Sequence, residues 1–306
     1  MAVYLEKFVL PNKEKEEELI VRRMSYNGGA FGYIDNLYPC GLFSEKELSE
    51  IDFSGITIFY GGNGSGKSTL LNLIANKLCL KRTAPYNTSE LFNSFVESCK
   101  FRLGYDDEGD EYRDVPQKSS IITSDDIFDY MLTARENNQE VSEETRELHD
   151  DVYGRLKYGK TIRLGGIEDY EDVRLQVLAR KKSLSRRQFL YKVAGKEVKL
   201  NSNGETALDY FDTKLHDNSL YCLDEPENSL SPKYQKELVE IISKKARYGG
   251  CQFIIATHSP FVLSLSGAKI YDLDTTPVNL KNWWELENTK TYFDFFEENR
   301  HLFKKQ

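Results

Sequence analysis

The most constraining feature of this 306-residue chain is a glycine-rich octapeptide, Gly61-Gly62-Asn63-Gly64-Ser65-Gly66-Lys67-Ser68, which follows the β-branched and aromatic run Ile56 to Tyr60. It fits GxxxxGK[ST] and stands between a predicted strand and a predicted helix, the context that gives the pattern its meaning. Glycines let successive backbone N–H groups turn inward around an anion, and a helix starting near Lys67 aims its positive dipole end at the same point. Lys67 is then placed to reach the β- and γ-phosphates of a nucleoside triphosphate, and the Ser68 hydroxyl to ligate Mg2+. Gly61 to Thr69 is the predicted binding segment. Leu70, Leu71, Ile74 and Leu78 fall on one face of the helix that follows, which predicts that this face is buried.

Two further apolar runs end in polar residues. Ser219 to Leu223 leads into Asp224 and Glu225, and Cys251 to Ala256 leads into Thr257-His258-Ser259-Pro260. Residues 232–245 between them read as a helix. Strands alternating with helices predict an α/β fold with a mostly parallel central sheet, helices on both faces, and ligands beyond the carboxyl ends of the strands. Asp224 suits the oxygen shell of Mg2+, Glu225 is placed to orient or deprotonate a water, and His258 to contact a γ-phosphate. Ser202-Asn203-Gly204-Glu205 precedes a helix-like stretch and reads either as a second anion site or as an ordinary N-cap.

Composition narrows the partners. The net charge of −8 argues against a nucleic-acid binder over the whole surface. The charge is unevenly spread, however. Arg174 to Lys199 carries nine Lys or Arg against Glu197 alone, a net of +8 that leaves −16 elsewhere; the acidic runs lie at 106–114 and 136–151. The expected organisation is an ATP-binding core made of 1–104 and 206–306, with an inserted, largely helical lobe at 105–205. The basic stretch is a candidate for nucleic-acid phosphates, for a protein partner, or for a solvated face. Five scattered cysteines without a CxxC pair suggest reduced packing residues. No secretory signal or membrane span is read, so a cytoplasmic chain without direct membrane insertion is expected.

Lys67, Ser202 to Glu205, Asp224-Glu225 and His258, in that order, resemble the Walker A, signature, Walker B and switch histidine of the ATP-binding-cassette ATPases. Asp224 to Pro232 is similar to a Walker B followed by a D-loop. The wording Asp-Glu-Pro-Glu and Thr-His-Ser-Pro, with the tail Tyr292 to Leu302, resembles the stand-alone AAA-family ATPases related to the RecF and chromosome-maintenance branch. The resemblance covers about 51–80 and 198–275. It implies ATP with Mg2+ as cofactors, and a head-to-tail homodimer in which Ser202, Gly204 and Glu205 of one copy face ATP held by the other. It also implies an output through an unknown protein partner, in DNA repair or defence. Asn203 departs from the glycine usual in transporter signatures. Gln117 is the candidate for the family's glutamine loop and a magnesium ligand, and Phe31, Tyr33 or Tyr38 for stacking on adenine. The alternatives are a nucleotide-binding subunit of a membrane transporter and a P-loop small-molecule kinase.

Overall fold

A computed structural model describes residues 1–26, 36–106, 108–133, 157, 160, 170–180, 203–228 and 230–303. The chain begins with β1 (Leu5–Val9), α1 (Lys13–Tyr26), β2 (Glu50–Asp52), β3 (Ile56–Tyr60), α2 (Lys67–Lys77), α3 (Phe92–Ser98), β4 (Lys100–Leu103) and β5 (Ser120–Thr123). It continues with α4 (Tyr170–Arg180), α5 (Asn203–Lys214), β6 (Leu220–Asp224), α6 (Pro232–Tyr248) and β7 (Gln252–Ala256). Then come α7 (Pro260–Leu263), β8 (Lys269–Asp272), β9 (Asn279–Leu280), α8 (Glu287–Glu298) and α9 (Arg300–Phe303).

The apolar runs become the middle of a six-stranded sheet ordered β5-β6-β7-β3-β8-β9. All pairings in it are parallel except β8 with β9. Strands covered on both faces need continuous rather than alternating apolar sequence. Ile58, Phe59, Cys222, Leu223, Ile254 and Ile255 accordingly have no exposed surface. The predicted apolar face of α2 is buried too, with Leu70, Leu71 and Ile74 fully covered.

A smaller antiparallel sheet, β2-β1-β4, joins the large one through a buried amide. Gln252 Oε1 accepts from the N–H of Tyr4 and Leu5 at 2.8 and 2.9 Å, and its Nε2 donates to Leu5 and Ser54 carbonyls at 2.8 and 3.1 Å. Every polar atom of this fully buried side chain is thereby satisfied, as burial requires.

The chain divides into two units, one of residues 1–129 and 203–306 and the other of residues 130–202. Residues 105–129 and 203–205, expected in the inserted lobe, fall within the first unit. For 105–129 the reason is β5: paired along β6, it is a strand of the main sheet, with Ile121 and Ile122 buried. Within the second unit, Gln176 on α4 donates to the Lys160 carbonyl at 2.9 Å. Arg174 and Arg180 of the basic stretch are exposed on α4. Residues 181–199 and the acidic run 136–151 lie outside the described residues. All five cysteines are free thiols. Among the described residues, no helix is long and apolar enough to cross a membrane.

Candidate active site

Parallel strands collect their carboxyl ends on one edge of a sheet, and three of those ends build this site. β3 delivers the glycine loop, β6 delivers Asp224 and Glu225, and β7 delivers Thr257 and His258. The register places Asp224 level with Ala256. Residues distant in sequence therefore meet because the strands that carry them are hydrogen-bonded neighbours.

The loop wraps a pocket of about 390 Å³ lined by Gly62 to Thr69, Glu225, Tyr38 and Leu42. Its shape depends on glycine at two points. Gly66, at φ 103°, adopts a left-handed backbone that other residues reach only with strain. A Cβ on Gly61 would lie 2.5 Å from Ser65 Oγ, so the loop could not close there. That hydroxyl is buried without a hydrogen-bond partner, as expected of a donor awaiting an anion.

Lys67 is only 5% exposed, and its Nζ donates to the carbonyls of Gly61 and Gly62 at 2.7 and 3.1 Å. The same ammonium stands 3.8 Å from Glu225 Oε1, and His258 Nδ1 stands 3.6 Å from that oxygen on another side. Glu225 is held in place by its backbone. Its N–H donates to the Ala256 carbonyl at 2.9 Å, while Asn228 Nδ2 donates to Oε2 at 2.9 Å. With φ at 47° it is one of few non-glycine residues in the left-handed region, a strain of roughly 1–3 kcal/mol that persists where neighbours over-determine the conformation.

Ser68 Oγ donates to Asp224 Oδ1 at 3.0 Å. Burial pushes the Asp224 carboxyl up to about 6; the Ser68 hydrogen bond opposes this, and the charge of Glu225 adds to it. A half-buried carboxylate beside a hydroxyl, short of positive charge, is a donor set that fits Mg2+.

Behind these groups stands Glu227, buried to 4% exposure. Its Oε1 accepts from Thr257 Oγ1 and from the backbone N–H of His258 and Ser259 at 3.3 and 3.2 Å. One carboxylate oxygen thus fixes the turn that carries His258. Burial raises this carboxyl above its usual range. Sequence reading passed over Glu227, although its i+2 spacing from Glu225 in an apolar-flanked segment was visible. Asp274 was also missed; its carboxylate caps the Gly62 N–H at 2.8 and 3.0 Å. So was Lys46, whose Nζ ties Ser65 to Leu273 through their carbonyls at 2.9 and 2.5 Å.

Other expected residues fall elsewhere. Gln117 is exposed in a turn preceding β5, at the amino end of that strand, whereas the site lies at the carboxyl ends. The structure does not bring it to the metal position. Gly204 is buried at the start of α5, where a Cβ would lie 2.1 Å from the Tyr234 ring; its bareness lets α5 approach α6. Glu205 is exposed, and neither residue lines the glycine-loop pocket. Ser202, Phe31 and Tyr33 lie outside the described residues. Tyr38 does line the pocket; its hydroxyl contacts Thr69 Oγ1 at 3.1 Å and its ring stacks on Phe92.

Two segments match family models. Residues 36–90 match the "P-loop containing region of AAA domain", and residues 199–264 match the "AAA domain, putative AbiEii toxin, Type IV TA system". The first spans the glycine loop, the second Asp224, Glu225 and His258. No curated protein matches the chain. Similar solved structures include a dimeric ATP-binding cassette, MJ0796, in a post-hydrolysis state bound to ADP and Pi, at 14% identity over 76% of this chain and 88% of that one, TM-score 0.34. They also include the Smc head domain of Pyrococcus furiosus bound to the C-terminal domain of ScpA, at 12% identity over 82% and 95%, TM-score 0.39. A third is cbiO1 of Clostridium perfringens, part of the ABC transporter complex cbiONQ, at 16% identity over 83% and 90%, TM-score 0.36. Fold and site define a P-loop protein. The two matched segments are similar to AAA-type P-loop domains.

Proposed function

We propose that this chain binds ATP with Mg2+ and hydrolyses it to ADP and phosphate. The observation that carries this reading is the meeting of Lys67, Glu225 and His258 within 4 Å at the mouth of a glycine-loop pocket. Lys67 and the loop amides hold the triphosphate, and Ser68 and Asp224 hold the metal. A metal held by Ser68 and Asp224 would supply positive charge to the phosphate groups. Glu225, held by Ala256 and Asn228, orients a water and takes its proton. His258 faces the same carboxylate and contacts the γ-phosphate.

The resemblance of 202–205 to a signature segment supports a role for this segment, with Glu205 exposed at the start of α5, in closing the site of a second copy. The regulated output is then an ATP-dependent head-to-tail homodimer that switches a partner protein. Of the two expected processes, defence is favoured, because the matched family's description concerns a toxin–antitoxin system. Incubating the purified chain with radiolabelled Mg-ATP tests the reaction: free phosphate is the expected labelled product. A labelled small-molecule acceptor as the main product would instead establish a kinase.

Asp224 gives a pH signature. A carboxyl raised from its ordinary 3.8 to about 6 binds its proton more tightly folded than unfolded, so its ionisation destabilises the fold as pH rises through that window. The full cost above pH 6 is on the order of 3 kcal/mol. In metal-free buffer, Asp224→Asn is therefore expected to unfold at higher urea than the parent at pH 7.5, with the gap closing by about pH 4. Magnesium-nucleotide affinity of the parent should fall as pH drops below about 6, since the ligand must be ionised.

A further inference from the structure

Beside His258, and lined by no residue of the glycine loop, lies a larger cavity, of about 930 Å³, a size typical of small-molecule sites. Its walls are aromatic: Phe261, Trp283, Trp284, Tyr292, Phe293 and Phe296. Trp284 and Phe293 are 57% and 66% exposed, and large apolar surface left open in this way marks a binding surface.

Two buried polar atoms belong to residues lining this cavity and have no hydrogen-bond partner: Glu227 Oε2 and Thr289 Oγ1. The Glu227 side chain is fixed, because its other oxygen is engaged by the Thr257 hydroxyl and the His258 and Ser259 N–H groups. A buried carboxylate oxygen without a partner lacks a donor, and that deficit is costly until a donor arrives. Electron-rich ring faces attract cations as well. Among the described residues, Lys290 is the one Lys or Arg lining the cavity, and it is exposed.

We infer that this cavity binds an organic cation, an amine or guanidinium on an aromatic or apolar body. The charged N–H group sits on Glu227 Oε2 and the body lies among Trp283, Trp284 and Phe293. Thr289 Oγ1 offers a second polar contact. The site stands apart from the nucleotide pocket, and its occupancy does not depend on ATP turnover.

Trp283 and Trp284 are the only tryptophans in the chain, so fluorescence excited selectively at tryptophan reports on this cavity. The test titrates the full chain with phenethylamine, phenylacetate and 2-phenylethanol, which share a body and differ in charge. Phenethylamine is expected to give a saturable change at a concentration at least about tenfold lower than the other two, and Glu227→Gln should erase that preference. An equal response to all three probes, no saturable response to phenethylamine, or a preference that survives Glu227→Gln would each overturn the inference. Should that variant fail to fold by circular dichroism, Thr289→Val and Trp284→Ala supply the test: weaker phenethylamine binding in both supports the site, and unchanged binding in both refutes it.

Discussion

Glu225→Gln is expected to bind Mg-ATP nearly as the parent does and to release phosphate about 10²–10⁴ times more slowly, the usual cost of losing a general base. The substitution is nearly isosteric. A glutamine keeps an oxygen for Asn228 Nδ2, and the backbone bond to Ala256 is untouched, so the strained conformation at this position survives. What disappears is the carboxylate that lies 3.8 Å from Lys67 and 3.6 Å from His258. With ATP bound and unhydrolysed, the variant should accumulate as dimer in light scattering. A single-turnover assay alongside calorimetry separates the two effects. Normal turnover would mean that Glu225 is not the base.

Lys67→Ala should act at the earlier step. The ammonium is 5% exposed and bonded to the Gly61 and Gly62 carbonyls, so its removal takes away both the charge offered to phosphate and a brace across the loop. Truncating one partner of a buried charge-assisted contact costs about 2–5 kcal/mol, which corresponds to a loss of Mg-ATP affinity of roughly 30-fold to several thousand-fold. The far-ultraviolet spectrum should stay unchanged, because α2 is anchored by Leu70, Leu71 and Ile74 rather than by its first residue. The two variants thus fail in distinguishable ways, one at binding and one at chemistry.

Much of this arrangement was legible because it is written locally. Ile56 to Tyr60, Leu220 to Leu223 and Cys251 to Ala256 are short apolar runs that end in polar residues, and parallel pairing then obliges those ends to share an edge. The glycine loop and the helix after it carry their geometry in consecutive residues. What was not legible depends on pairings across long stretches of chain. Asp274 reaches Gly62 over 212 positions, and Gln252 joins Tyr4 over 248; no periodicity announces either. Gln117 was chosen by residue type, but strand direction decides which end of β5 faces the chemistry, and Gln117 sits at the other end. Glu227 was hidden by its neighbours: Asp224 and Glu225 explained the acidic segment so readily that the third carboxylate was given no role.

The account stands on convergence of the glycine loop with Asp224 and Glu225 upon one triphosphate. A crystal structure with magnesium and a non-hydrolysable ATP analogue tests that directly. The expected electron density shows the γ-phosphate against Lys67, the metal on Ser68 and Asp224, and Glu225 facing the terminal phosphorus. A nucleotide seated anywhere else, or one held by the loop with Asp224 and Glu225 out of reach of its phosphates, would contradict it.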